Sequence, residues 1–288
     1  MRLATVKLRE RNEVRVVVSS DGESWRSVDA AAEYSWARSA KAIIEKSDSV
    51  PVRQLPLGDD SFDRAELDFL PPVLGVEKLI CIGKNYADHA AEMDSDAPEI
   101  PIVFSKFPSC LIGHRANIEL PKISSEVDFE AELVVVIGKA GKDIQRSDAL
   151  SHVFGYTIGN DVSARDWQKG RPGGQWLMGK AFDTFAPLGP SIVTADEVGH
   201  PQNLQIGLNL NGQQMQLSNT AQMIFPIDVL LAHVSQFFTL RPGDLIFTGT
   251  PSGVGAGRQP KVFLKDGDQV TVEVEKLGVL ENNVVASS

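Results

Sequence analysis

The β-branched residues of this chain fall into short runs, each closed by a turn signal, and a chain punctuated in this way folds mainly into strands. Glu132 to Gly138, Phe154 to Ile158, Leu204 to Leu210, Leu245 to Thr248 and Gln269 to Val274 are such runs. Asn211-Gly212, between Ile206-Gly-Leu-Asn-Leu and Gln213-Gln-Met-Gln-Leu, is a type I′ hairpin signal. Arg241-Pro-Gly-Asp244 and Lys265-Asp-Gly-Asp268 are further turns ahead of strands. Only Pro226 to Phe238 repeats with a clear helical period, with Ile227, Leu230, Leu231, Val234, Phe237 and Phe238 on one side. An alternating βαβ fold is therefore excluded, and the expected class is α+β, predominantly β.

The first seventy or so residues read as a small α/β unit. Leu3 to Leu8 and Val14 to Ser19 alternate and are joined around Arg9 to Asn12 as a hairpin. The spacing of Ala30, Ala32, Ile43 and Ile44 predicts a helix from about Val28 to Lys46, and Ser47 to Asp60 reads as a loop. Pro71 and Pro72 precede a short buried strand, Lys78 to Gly83. These signals divide the chain into a small N-terminal domain, residues 1–72, and a larger catalytic domain, residues 73–288.

A net charge of −10 lacks the basic footprint of a nucleic-acid binder, and it would repel anionic substrates unless a local patch of cations opposed it. The two cysteines, Cys81 and Cys110, lie in apolar surroundings and read as reduced core residues. No apolar run is long enough for a membrane span, and the charged N-terminus lacks a signal-peptide core, so a cytoplasmic protein is expected.

The chemistry concentrates in a few motifs. In Asp128-Phe-Glu130-Ala-Glu132, the two glutamates are two apart and so share a strand face with Val134 and Val136. Like charges entering an apolar interior need a cation or a proton between them, and hard oxygens suit Mg²⁺, Mn²⁺ or Ca²⁺. An edge strand with solvent-facing glutamates fits the same spacing. Asp161, after Gly155-Tyr-Thr-Ile-Gly-Asn160, stands at a strand end where it would complete a three-carboxylate site. Arg165 and Gln168 would share its face if the following turn is helical, and an arginine there could clamp a carboxylate; an aspartate N-cap with a surface arginine is the alternative.

In Gly83-Lys-Asn-Tyr-Ala-Asp-His89-Ala-Ala-Glu92-Met93, His89 and Glu92 are three apart, so a helical turn would let Glu92 orient His89 as a general base. A solvated surface pair would look the same. The polar run 94–98 that follows suits a mobile lid. Lys180 is a lone lysine among apolar residues, either snorkelling or aimed at developing negative charge. Thr250 opens a glycine-rich loop, Gly249 to Gly257, whose amides could hold an anion. His114, His152, His200 and His233 have no matched partners and read as structural or surface residues.

Taken in order from Leu79 to Val274, these motifs resemble the fumarylacetoacetate hydrolase family, and its shorter-chain branch of acylpyruvate hydrolases and oxaloacetate decarboxylases in particular. The resemblance implies that family's β-rich catalytic fold, a small domain ahead of it, and a homodimer. It implies Glu130, Glu132 and Asp161 as ligands of Mg²⁺ or Mn²⁺, a His89–Glu92 dyad, Lys180 as a substrate-side cation, and Arg165, Gln168 and Thr250 as contacts to substrate oxygens. The expected reaction is hydrolysis of a C–C bond in a small acylpyruvate, through an enolate at the metal. Oxaloacetate decarboxylation and isomerisation of a dienoic keto acid would use the same intermediate. A non-catalytic protein that binds metal and keto acid is the reading from another class.

Overall fold

Alternating apolar residues build an N-terminal meander. β1 (Arg2–Leu8) and β2 (Glu13–Ser19) form the expected hairpin, in register from Arg2 opposite Ser19 to Leu8 opposite Glu13. β3 (Ser24–Val28) and β4 (Leu57–Asp63) extend it, and β5 (Leu67–Phe69) pairs with β1. The computed structural model describes residues 1–92 and 96–287.

Two expectations fail in this region. The predicted helix from Val28 contracts to α1 (Ala40–Lys46), because Val28 is claimed by pairing with Leu57 and the helix begins only where the Ser39 hydroxyl caps the Ala42 N–H at 3.2 Å. The same pairing turns the end of the predicted loop 47–60 into strand. Tertiary partners outweigh local spacing here.

The following stretch contains β6 (Leu79–Gly83), α2 (Ala87–Glu92), β7 (Ile102–Lys106), β8 (Leu111–Ile112), β9 (Asn117–Leu120) and β10 (Val127–Asp128). Then come β11 (Ala131–Ile137), β12 (Val153–Asn160), β13 (Ser163–Ala164), α3 (Arg165–Gln168), α4 (Trp176–Lys180), β14 (Ala186–Thr194) and α5 (Ala195–Val198). β15 (Gln205–Leu210), β16 (Gln213–Asn219), α6 (Ile227–Val234), β17 (Leu245–Phe247), β18 (Gln269–Val274) and β19 (Gly278–Ala286) complete the chain. Helix α6 stops short of the predicted Phe238, and Phe237, expected on its buried face, is 67% exposed.

The large sheet runs β4-β3-β2-β1-β14-β12-β11-β17-β6-β7, so the N-terminal strands are hydrogen-bonded to the rest through Leu3 opposite Ile192. A second sheet, β16-β15-β18-β19-β9, contains the predicted hairpin, with Asn211 and Gly212 at φ 53° and 79° as a type I′ turn requires. Leu133, Val135 and Ile137 of β11 pack with Ile206, Leu208, Val270 and Val272 of the second sheet. Val134 and Val136 point the other way, toward Leu3, Ile43 and Phe247. β11 is thus buried on both faces, which is why it reads as an unbroken apolar run. The fold is β-rich α+β, as expected. Among the described residues no helix is long and apolar enough to cross a membrane.

His114 is a structural residue of this core, and it carries a prediction. Its Nδ1 accepts the Glu281 N–H at 3.1 Å, and burial, with Arg64 and Arg115 nearby, lowers its pKa to about 4. The unfolded chain therefore binds a proton below about pH 6.5 that the folded chain refuses, so stability falls as pH drops toward 4. Urea melts should show a loss of up to about 2 kcal/mol between pH 7 and pH 5 from this group, and His114→Gln should flatten that slope.

Candidate active site

The register of two strands builds the acidic cluster. Ala131 lies opposite Asn160 and Glu132 opposite Gly159, and the Asp161 N–H donates to the Glu130 carbonyl at 2.9 Å. Glu130 and Asp161 are thereby held across from each other at the end of the β11–β12 ladder, with Glu132 beside them. Gly159 makes room, since a Cβ there would lie 2.6 Å from Val134. One oxygen from each of Glu130, Glu132 and Asp161 lies within 4.8 Å of the others, and all three residues are buried.

Cations converge on this cluster. Lys180 Nζ donates to Glu130 Oε2 at 2.8 Å and to Asp161 Oδ2 at 2.7 Å. Arg165 donates from Nε to Asp128 Oδ2 at 2.9 Å and sets Nη2 2.7 Å from Glu130 Oε1. Buried Lys106 donates to the carbonyls of Val162 and Phe185 at 2.9 and 2.6 Å and lies 2.7 Å from Asp161 Oδ1. Burial alone would raise the Glu130 carboxyl, but Lys180 and Arg165 outweigh it and hold it below the usual carboxylate range. Glu132 has no such cation in contact. Burial, reinforced by Asp161 and Glu130, pushes its carboxyl well above the ordinary range.

The cluster is thus short of positive charge at Glu132. In addition, Asp161 Oδ1 accepts no aligned hydrogen bond despite the nearby ammonium. An all-oxygen donor set with one proton too many to ionise freely, and one unsatisfied oxygen, fits a hard divalent cation.

α2 brings His89 to the cluster, with Nδ1 3.5 Å from Glu92 Oε2. The glycine-rich loop holds α2 in place. Ser252 donates to Asp88 at 2.7 Å, and the Gly253 N–H lies 3.0 Å from both Glu92 oxygens. The Gly255 and Ala256 amides donate to Asp128 at 2.7 and 3.0 Å. The amides expected to hold an anion do so, but the anions are the protein's own carboxylates. Gly255 admits no side chain, since a Cβ would lie 1.7 Å from the Val262 carbonyl oxygen, and a Cβ at Gly257 would lie 2.4 Å from Glu92 Cδ, the movable end of a side chain.

His89, Glu130, Arg165, Gln168, Lys180 and Thr250 line one cleft. Gln168 accepts from Arg165 Nη1 at 3.0 Å, and the Thr250 hydroxyl accepts from Gln216 at 2.9 Å. Gly179 lets α4 seat against α3, since a Cβ there would lie 2.5 Å from the Gln168 nitrogen. The nine residues singled out from the sequence meet around this cleft and the acidic cluster behind it. Arg165 pairs with Asp128 and Glu130 instead of sharing a face with Asp161, and Lys180 bridges two carboxylates. The expected lid, 94–98, begins outside the described residues. Asp128 and Lys106 were missed. Asp128 has the same i, i+2, i+4 parity as Glu130 and Glu132, a usable signal; Lys106, closing an apolar strand, has none.

The chain is similar to known proteins along most of its length. The Fumarylacetoacetate (FAA) hydrolase C-terminal family model matches residues 78–285. The chain is 56% identical over 232 residues to the Bos taurus protein "Oxaloacetate tautomerase FAHD2A, mitochondrial", covering 81% of this chain and 73% of the relative. Fumarylacetoacetate hydrolase from psychrophilic Exiguobacterium antarcticum is similar at a TM-score of 0.85 and 36% identity, with 100% of both chains covered. The 5-carboxymethyl-2-hydroxymuconate delta-isomerase of Mycobacterium smegmatis gives 0.80 and 36%, again with 100% of both chains covered.

The expected cytoplasmic location is corrected by this comparison, because the bovine relative is mitochondrial. The expectation rested on features that do not bear on import into an organelle. Matched domain, identity and shared architecture agree, and the chain belongs to the fumarylacetoacetate hydrolase family.

Proposed function

We propose that this enzyme interconverts the keto and enol forms of a small α-keto dicarboxylic acid of the oxaloacetate type, moving a proton at the carbon next to the ketone. The observation that carries this reading is the His89–Glu92 pair, whose buried histidine lines the same cleft as Glu130, Arg165 and Lys180. Support comes also from the bovine oxaloacetate tautomerase.

Glu130, Glu132 and Asp161 would hold Mg²⁺ or Mn²⁺, which when bound supplies Lewis acidity toward the keto oxygen. Glu92, 3.5 Å from Nδ1, would orient the imidazole while His89 carries the proton. Arg165 and Gln168 orient the head-group carboxylate, with the arginine held by Asp128. Lys180 places fixed positive charge beside the oxygen on which negative charge develops, and Thr250 closes the wall behind it. Closure of the cleft around a small acid keeps water from the carbanion carbon.

Hydrolysis of an acylpyruvate C–C bond is the second reading, supported by the structural likeness to fumarylacetoacetate hydrolase. It would use His89 to activate water. The test is a panel of enolised oxaloacetate, oxaloacetate and acylpyruvates, with Mg²⁺, Mn²⁺ or EDTA. Metal-dependent loss of the enol absorbance that outruns any release of pyruvate is expected. Pyruvate release from acylpyruvates at a higher kcat/KM would move the assignment to hydrolase, and metal binding without any turnover would move it to a binding protein. A homodimer belongs to the same proposal, and sedimentation as a single 31.3 kDa species would remove it.

The glycine loop supplies a cleaner check of the dyad. Gly257→Ala would press its methyl on the flexible end of Glu92, not on backbone. Thermal stability should change little while kcat falls about tenfold; an unchanged kcat would show that the Glu92 position is irrelevant.

A further inference from the structure

Charge in the buried site leaves a substrate's second carboxylate without a partner there. Asp128, Glu130, Glu132 and Asp161 face Lys106, Arg165 and Lys180. Glu92 stands apart, held by the Gly253 amide beside His89. With a divalent ion, the four carboxylates and three cations leave one net positive charge, enough for one substrate carboxylate.

The cleft has two further cations, Lys84 and Lys169, which the mechanism does not use. The buried cations all have carboxylate partners, whereas Lys84 and Lys169 have none among the described residues. Lys84 sits at φ 55°, a left-handed backbone that lysine seldom adopts, just past the end of β6. Before it, Gly83 allows the Trp176 ring close, since a Cβ would lie 2.8 Å from Cζ3. Trp176 in turn meets Phe104 edge-on at 5.4 Å, so one wall of the cleft is aromatic. Lys169 follows α3 directly, one residue beyond Gln168. Partial burial, then the charges of Arg165 and Lys84, lowers the pKa of its ammonium.

We propose that Lys84 and Lys169 form a distal-carboxylate subsite that selects dicarboxylic over monocarboxylic keto acids. It rests on the keto-acid reading above and adds the specificity determinant. Both ammonium groups line the cleft without a carboxylate partner among the described residues, and a ligand carboxylate between them would receive charge-assisted hydrogen bonds. Plain surface lysines would instead leave affinity indifferent to the far end of the ligand.

Calorimetric titration of the Mg²⁺-loaded protein with oxaloacetate and with 2-oxobutanoate tests it, since the two differ by a carboxylate in place of a methyl group. Oxaloacetate should bind on the order of 10- to 100-fold more tightly. In the Lys84→Gln Lys169→Gln double variant that gap should close with 2-oxobutanoate affinity unchanged. Lys169→Glu alone, at a position whose side chain reaches solvent, should reverse the preference. Equal binding of both acids by the wild type, or an undiminished gap in the variants, overturns the subsite and leaves the functional reading standing. Failure of either acid to bind, with Mg²⁺ uptake still measurable, overturns both.

Discussion

Glu132→Gln is expected to reduce metal-dependent turnover on the order of 10³-fold or more, while the metal-free protein melts no lower than wild type. The two halves of that result have one origin. Glu132 is buried without a cation of its own, so its carboxyl is held toward the protonated state, and glutamine is close to that state in shape and charge. The substitution therefore removes repulsion from the empty cluster and a ligand from the loaded one. Differential scanning fluorimetry with and without Mn²⁺ reads both: the wild type should gain stability with metal by mass action, and the variant should not. Undiminished turnover or an undiminished metal-induced shift would remove Glu132 from the site.

His89→Ala is expected to cost on the order of 10²- to 10⁴-fold in enol–keto interconversion, with Mn²⁺ binding retained. His89 contacts the cluster only across the cleft and makes its close approach to Glu92, so its loss leaves the carboxylates and their cations intact. Decarboxylation of oxaloacetate needs no base and should fall less. Equal loss of proton transfer and decarboxylation would show that His89 supports binding and is not the proton carrier. The same variant with imidazole added should regain part of the first activity and none of the second.

How legible this site was follows from where its partners lie along the chain. Glu130 and Glu132 share a parity, and Asp161 ends a strand, so their convergence needed only the pairing of neighbouring β11 and β12. His89 and Glu92 are neighbours on one helical turn and could be paired without any tertiary knowledge. Lys106 is different. It reaches Asp161 from β7, at the far edge of the same sheet, and nothing in Ile102-Val-Phe-Ser-Lys106 signals what its last side chain faces. The glycine loop shows a subtler failure: its capacity to bind an anion was readable, but the identity of that anion depended on contacts with Glu92 and Asp128, which are distant in sequence. The lost length of the Val28 helix has the same cause, since Leu57 decides the fate of Val28.

The pairing of β1 with β14 has a practical meaning for anyone who trims this protein. β14 is buried along its whole length and is the direct neighbour of β12, which leads into Asp161. A chain begun at residue 73 would leave the Ile192–Val193 stretch of that strand as an open edge, a template for whatever extended segment is nearby. Recombinant fragments of that kind would aggregate or recruit a surrogate strand. The N-terminal meander thus serves the active site as a cover for the sheet, even though no residue in it reaches the chemistry.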